Sequence, residues 1–571
     1  MRFRQQLGAA GRTAFKPMKR FLLAGVVFLA TLEGWSAEPT IVRPFERPGG
    51  FVSANPIDDL VLAALRKRGI EPANLCSDEV FVRRVYLDVI GTLPEPAEVR
   101  GFLQDPRPDK RAALIDAVLQ RKEFADYWAM KWSDLLRVKA EFPINLWPNG
   151  VQAYHRWIHD AIQENRPYDQ FARELLTSSG SNFRVSPVNF YRAIQGRDPS
   201  AIAAAAALTF MGTRTESWTE AARSGLAAFF SRVQYRATGE WKEEIVCLDP
   251  ASTTTLEAVF PGGVRTRIAP DQDPRQVLAD WLIAPDNPWF ARNIVNRVWS
   301  WLMGRGVIHE PDDIRPDNPP ANPELLAYLE KELVNAKYDL RHIYRLILNS
   351  RTYQQSSIPR SDDPQAEALS AFYPVRRLEA EVLIDALNWI GGAGESYSSL
   401  IPEPFTFIPK DQRSIALADG SITSPFLETF GRPPRDTGLE SERNNQPTDA
   451  QRMHLLNSTD VQRKIENSPR LRRLGETAGG DPRVLIRGIY VIILSREPTP
   501  AEMEIVGKAF GLTGGQGAQQ GVRQSGGRGG RLGANPGAKQ APKQGLKAGM
   551  KQAADDLAWA LINSKEFLYR H

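Results

Sequence analysis

Cysteine is scarce in this chain: Cys76 and Cys247 are the only two in 571 residues. Neither stands in a Cys-x-x-Cys-His segment, which excludes covalently attached c-type haem. Two thiols do not make a disulfide-built scaffold; they could pair in an oxidising compartment or stay as two buried thiols. Histidine is nearly as rare, with six. His155 and His159 stand four apart, but Arg-Trp-Ile lies between them, without the Glu of a helical zinc-protease motif. They read as structural histidines. There is no P-loop, no Gly-rich dinucleotide turn after a strand and no G-x-S-x-G nucleophile elbow. No cofactor is expected, neither haem nor metal.

Charge of one sign is also missing once the N-terminus is set apart. Arg2, Arg4, Arg12, Lys16, Lys19 and Arg20 precede an apolar run from Phe21 to Leu32, followed by the small residues Gly34, Ser36 and Ala37. This is the layout of a secretory signal peptide over 1–37. Trp35 makes the cleavage site imperfect, so an uncleaved anchor is the alternative. Taking six basic residues from 72 and Glu33 from 67 leaves 66 of each sign. The apparent net charge of +5 therefore mostly describes the leader, and nucleic acid is not an expected partner. The protein is expected to be exported, periplasmic or envelope-associated, with no transmembrane helix after signal removal.

What remains is rich in helical periodicity. Asn55-Pro56 is an N-cap followed by proline at the first helical position, ahead of the stripe Ile57, Leu60, Val61, Ala64 and Leu65. Similar stripes recur at Val82, Val85, Tyr86 and Val89 (closed by Gly91) and at Phe124, Trp128, Trp132 and Leu135. An Ala-rich helix ends at Gly212. Further N-cap/Pro starts stand at Asn287-Pro288, Asn322-Pro323 and Asp481-Pro482. The period changes only at Glu244–Leu248 and Val264–Ile268, which read as short strands with Gly262-Gly263 as a turn. The expected fold is mainly α: an N-terminal helical domain over 38–235, a small β ribbon over 236–269, and a C-terminal helical domain over 270–510. Residues 511–552 contain no acid and little that could build a core, and read as a disordered basic insertion. Residues 553–571 read as a helix docking on the body.

Two stretches are dense in charge. Glu310–Asn318 could offer oxygens to calcium, but it lacks the EF-hand order and reads as a solvated or Arg-paired loop. The second stretch runs from Phe426 to Ser458. Pro433-Pro434 breaks the helix, and Thr448-Asp449-Ala450-Gln451 is a capping box that restarts it. Between these anchors Arg432, Arg435 and Arg443 could grip a carboxylate, sulfate or phosphate. Asp436, Glu440 and Glu442 could supply an acid/base pair or accept from sugar hydroxyls, with Asn445 beside them. The structural reading is an ion-pair network that pins the two halves together. Catalytic residues are not identifiable in this stretch; these seven are ligand-binding candidates.

Several segments resemble a family of secreted bacterial proteins, best known from planctomycetes, that joins two adjacent domains of unknown function and is often associated with cytochrome c-like domains. They include FVRRVYLDVIGTLPEPAEV, NPWFARNIVNRVWSWLMGRGVI, YDLRHIYRLILNSRTYQ, FGRPPRDTGLESERNNQPTDAQRMHLLNS and DLAWALINSKEFLYRH. The resemblance implies one domain to about residue 235 and another from about 270, without a catalytic assignment. Many relatives carry Cys-x-x-Cys-His after the Ala-rich helix, where this chain has Arg214, Glu216 and Trp218. Electron transfer is accordingly the least expected role. The leading expectation is a binding or scaffold component of an envelope assembly, whose partners are other secreted proteins or an anionic extracellular polymer. The alternative is a hydrolase of glycans or sulfated polymers using carboxylates of 432–449.

Overall fold

Short stripes of apolar residues leave each helix marginal on its own, so the fold is decided by how the helices bury one another. The computed structural model describes residues 41–512 and 541–571. The signal peptide expected over 1–37, and residues 513–540 of the expected disordered insertion, lie outside them. The architecture is mainly α. The capping residues do what their chemistry suggests: Asn55 accepts from the Ile57 amide, Asn322 from Leu325, and Thr448 and Thr499 form capping boxes with Gln451 and Glu502. The Asn287-Pro288 start is displaced. Asn287 caps the Trp289 and Phe290 amides instead, and the helix runs Phe290–Met303.

The helix Asp78–Ile90 lies at the centre and is buried on every face, not only along its apolar stripe. Its polar members are therefore tied to distant segments. Arg83 donates to the Ile493 and Phe567 carbonyls, and Arg84 to those of Tyr353, Gln355 and His571. Asp88 accepts from the Tyr353 and Tyr373 hydroxyls at 2.8 and 2.7 Å and pairs with Arg570 at 2.9 Å. Residues Ile41–His571 form one compact unit. Trp128 links the helix Lys122–Leu135 to Tyr344 and Trp301, with ring centroids 4.5 and 5.3 Å away.

The β structure differs from a single ribbon. Glu244–Leu248 pairs antiparallel with Val233–Ala237 and with Gly180–Ser181, forming one three-stranded sheet. Arg265–Ile268 pairs with Leu256–Val259 in a separate hairpin through Gly262-Gly263. Strands this short carry too few alternations to declare their partners. A third small sheet joins Arg376–Arg377 to Tyr569–Arg570. The C-terminal helix is also longer than expected. It spans Ala541–Ile562 and so begins inside the stretch read as a basic insertion. Ala, Lys and Gln are good helix formers, and the helix is anchored where Ala554, Leu557, Ala558 and Leu561 are buried.

Candidate functional site

The charged loop begins where the helix Pro425–Thr429 ends and the chain doubles back on itself. Gly431 has φ 81°, and a Cβ there would lie 1.9 Å from the Asn444 carbonyl oxygen. No side chain is tolerated at that crossing. The same glycine's carbonyl accepts from the Asn444 amide at 3.2 Å. The capping box at Thr448 holds the other end, and Gln451 also reaches back to the Thr429 carbonyl at 3.0 Å.

Within this frame the three arginines turn inward. Arg443 donates to Asp134 at 2.7 Å and to both oxygens of Glu381 at 2.7 and 3.0 Å. Arg435 is fully buried and donates to Asp134 at 2.9 Å and to the Ala418 carbonyl. Arg432 donates to the Ile422 and Asp419 carbonyls and lies 3.4 Å from Glu381. Burial lowers the Arg432 pKa to about 10, with Arg435 adding to the effect. Burial alone would raise the Glu381 carboxyl; Arg443 and Arg432 outweigh it and hold the pKa at about 2. The arginines are thus occupied, and they fasten the loop to Asp134 on one side and Glu381 on the other.

The acids have separate fates. Asp436 pairs with Lys139 at 2.6 Å. Glu442 accepts from the Asp436 and Thr437 amides, and its other oxygen is buried without a partner. Glu440 accepts from the Trp301 indole at 3.0 Å, lies 3.8 Å from Arg297, and keeps about a quarter of its side chain exposed (24%). Burial raises the pKa of both Glu440 and Glu442. Glu440, Arg443 and Asn445 line an open cleft of about 570 Å³ together with Lys131, Trp301 and Glu379. Asn445 gives its carbonyl to Arg377, and its side-chain oxygen is unpartnered. The structure therefore brings Glu440, Arg443 and Asn445 to one cavity, while Asp436 lines a different one.

The remaining sequence candidates resolve as structural pairs. In the acidic loop, Asp312 binds Arg297 at 2.5 Å, and Asp313 and Asp317 share Arg315. His155 and His159 stack 6.5 Å apart. His159 meets Asp126 and Asp160, whereas burial drives His155 to a pKa of about 3. Among the described residues no group of three or more metal-type side chains converges. Cys76 and Cys247 are both free, and Cys76 is buried.

A second feature was missed by sequence reasoning. Trp147, Trp241 and Phe405 come together at the surface, with Trp147 centred 6.5 Å from Trp241 and 5.5 Å from Phe405. Trp241 is 68% and Phe405 56% exposed, and nearby in sequence Phe142 is 80% exposed. Lys242 lies 5.4 Å from the Trp241 ring centre and 6.0 Å from that of Trp147. Trp147 and Lys242 both hold left-handed backbone, φ 67° and 61°, a costly conformation that persists where surrounding structure fixes it. Glu141 supports the arrangement by accepting from Ser399 and from the Leu400 amide. Beside the rings opens a polar cleft of about 580 Å³, lined by Asn145, Arg192, Arg197, Trp241 and Lys242 among others. Rings more than 90 and 160 residues apart give no signal in a linear reading.

Residues 56–224 match the family model PSCyt2, a protein of unknown function (DUF1549), and residues 274–510 match PSD1, a protein of unknown function (DUF1553). No curated protein and no solved structure matches the chain.

Proposed function

We propose, from the premise that this chain carries the planctomycete pair of adjacent domains PSCyt2 and PSD1, that it is an exported binding component of the cell envelope whose ligand is an acidic polysaccharide. Export rests on the basic and apolar leader before residue 38. The observation that carries the binding role is the exposed aromatic surface of Trp147, Trp241 and Phe405 beside a polar cleft. Exposed aromatic groups rimmed by polar side chains mark interaction surfaces. Flat rings suit the apolar faces of sugars, and Lys242, which makes no ion pair among the described residues, offers a cation for acidic substituents. In affinity gels containing pectin or carrageenan, the purified protein should be retarded. The double variant Trp241→Ala/Phe405→Ala should lose about tenfold in affinity, roughly 1.4 kcal/mol. Both rings are exposed, so the fold should survive. Migration of the wild type unaffected by any acidic polysaccharide, or undiminished retardation of the double variant, refutes the reading.

Glycan hydrolysis is supported by one separate observation, the raised pKa of Glu440 at the edge of the 570 Å³ cleft. It predicts reducing ends released from the same polymers and abolished by Glu440→Gln. Release that is equal in the variant removes Glu440 from the chemistry.

A further inference from the structure

Among the described residues, buried arginines follow a rule with one exception. Arg297, Arg435, Arg443 and Arg570 face carboxylates, while Arg83 and Arg84 donate to two or three carbonyls each. Arg137 does neither. It is 5% exposed, its Nε donates to the Thr437 carbonyl at 2.9 Å, and its Nη1 has no partner. Among the described residues it makes no ion pair. A buried charged donor left unsatisfied costs about 1–3 kcal/mol or more. The backbone directs this side chain deliberately: Arg137 follows the helix Lys122–Leu135 in left-handed conformation, φ 57°. Gly438 makes room for it, since a Cβ there would come within 2.8 Å of the guanidinium carbon.

Arg137 lines an open pocket of about 430 Å³ that shares no lining residue with the Glu440 cleft. One wall is the helix Pro199–Met211, which presents Ala201, Ala204, Ala205 and Leu208. Of the other charged groups lining it, Asp436 is held by Lys139 and Arg214 by Glu310 at 3.1 Å, and Glu216 is exposed. A free, dehydrated guanidinium at one side of a small-residue apolar wall is a complement to an aliphatic carboxylate. The head would accept a charge-assisted hydrogen bond from the Arg137 guanidinium where it lines the pocket, and the chain would lie along the alanines.

We infer that this pocket is a binding site for a small aliphatic carboxylate, with its head on Arg137 and its body against Ala201, Ala204, Ala205 and Leu208. The site is independent of the aromatic surface and of Glu440. It is tested by thermal unfolding of the full chain in sodium hexanoate, sodium acetate and sodium chloride at matched ionic strength. Hexanoate should raise Tm in a saturable way, as a ligand that binds only the folded state must. Acetate should act at higher concentration, and chloride should have no such effect. Arg137→Gln should weaken the hexanoate effect at least tenfold. Ala204→Phe, which fills the pocket and leaves the arginine in place, should abolish it and guards against a folding defect in the first variant. No rise beyond chloride would mean that Arg137 is satisfied by water alone and overturns the assignment. A rise that persists in Ala204→Phe overturns it equally.

Discussion

The residues of the charged loop show how a buried network can be read by pH. Glu381 has a folded pKa of about 2 against an ordinary value of 4.5, because Arg443 and Arg432 more than offset the cost of its burial. Glu379 is likewise held well below its ordinary value: burial alone would raise it, but Arg570 and Lys131 prevail. A carboxylate with a depressed folded pKa contributes stability that is complete above about pH 4.5 and is lost as pH falls toward 2. Glu440 has the opposite sign. Its folded pKa is raised by burial, so its contribution is present in acid and is lost as pH rises through that value. The two groups act on opposite sides of pH 4.5. Replacing Glu381 with Gln should flatten the fall of Tm between pH 4.5 and 2, whereas Glu440→Gln should leave that fall unchanged and remove a loss of Tm that sets in as pH rises above 4.5. Melting curves for both variants on both sides of pH 4.5 check the assignment, and two curves parallel to wild type would show that neither environment is as described.

At the scale of elements, the sequence was legible where the signal is local and illegible where it is a matter of partners. Proline after Asn55, Asn322 and Asp481 marked helix starts because an N-cap and a fixed φ act within one turn. Gly91 and Gly212 marked helix ends for the same reason, since each supplies the left-handed residue that closes the helix. Both strands read from the changed period are present, yet they belong to different sheets, because pairing depends on contacts beyond either segment. The loop between Pro433 and Thr448 was located by its breakers and its cap. The destinations of its side chains were not, since Asp134 lies about 300 residues from Arg435 and Arg443. The aromatic surface was invisible for the same physical reason. Trp241 and Phe405 stand in irregular segments and Trp147 at the first position of a helix, where a lone aromatic residue carries no periodicity.

The two matched domains meet through a buried polar seam in addition to apolar packing. Asp58 in the first helix accepts from the Arg351 and Thr352 amides, and Arg84 and Asp88 hold Tyr353, Tyr373 and Arg570. Asp134 and Glu381, from opposite halves of the chain, share Arg443. Interfaces between domains of one chain are commonly small and polar enough to let the domains move or melt separately. This seam is different in kind. Parting the halves would strand Asp88 and Asp134 without a cation, and removing one partner of a buried pair costs about 3–5 kcal/mol. Residues 41–512 and 541–571 should therefore unfold together, giving a single calorimetric transition. Arg443→Met, which removes the shared cation and leaves Asp134 only Arg435 and Glu381 only the more distant Arg432, should lower stability to denaturant by about 3–5 kcal/mol and still melt in one step. Two resolved transitions in the wild-type protein would show that the seam does not couple the halves. A loss in Arg443→Met of under about 1 kcal/mol, the scale of an exposed pair, would show that the arginine is not the buried junction described.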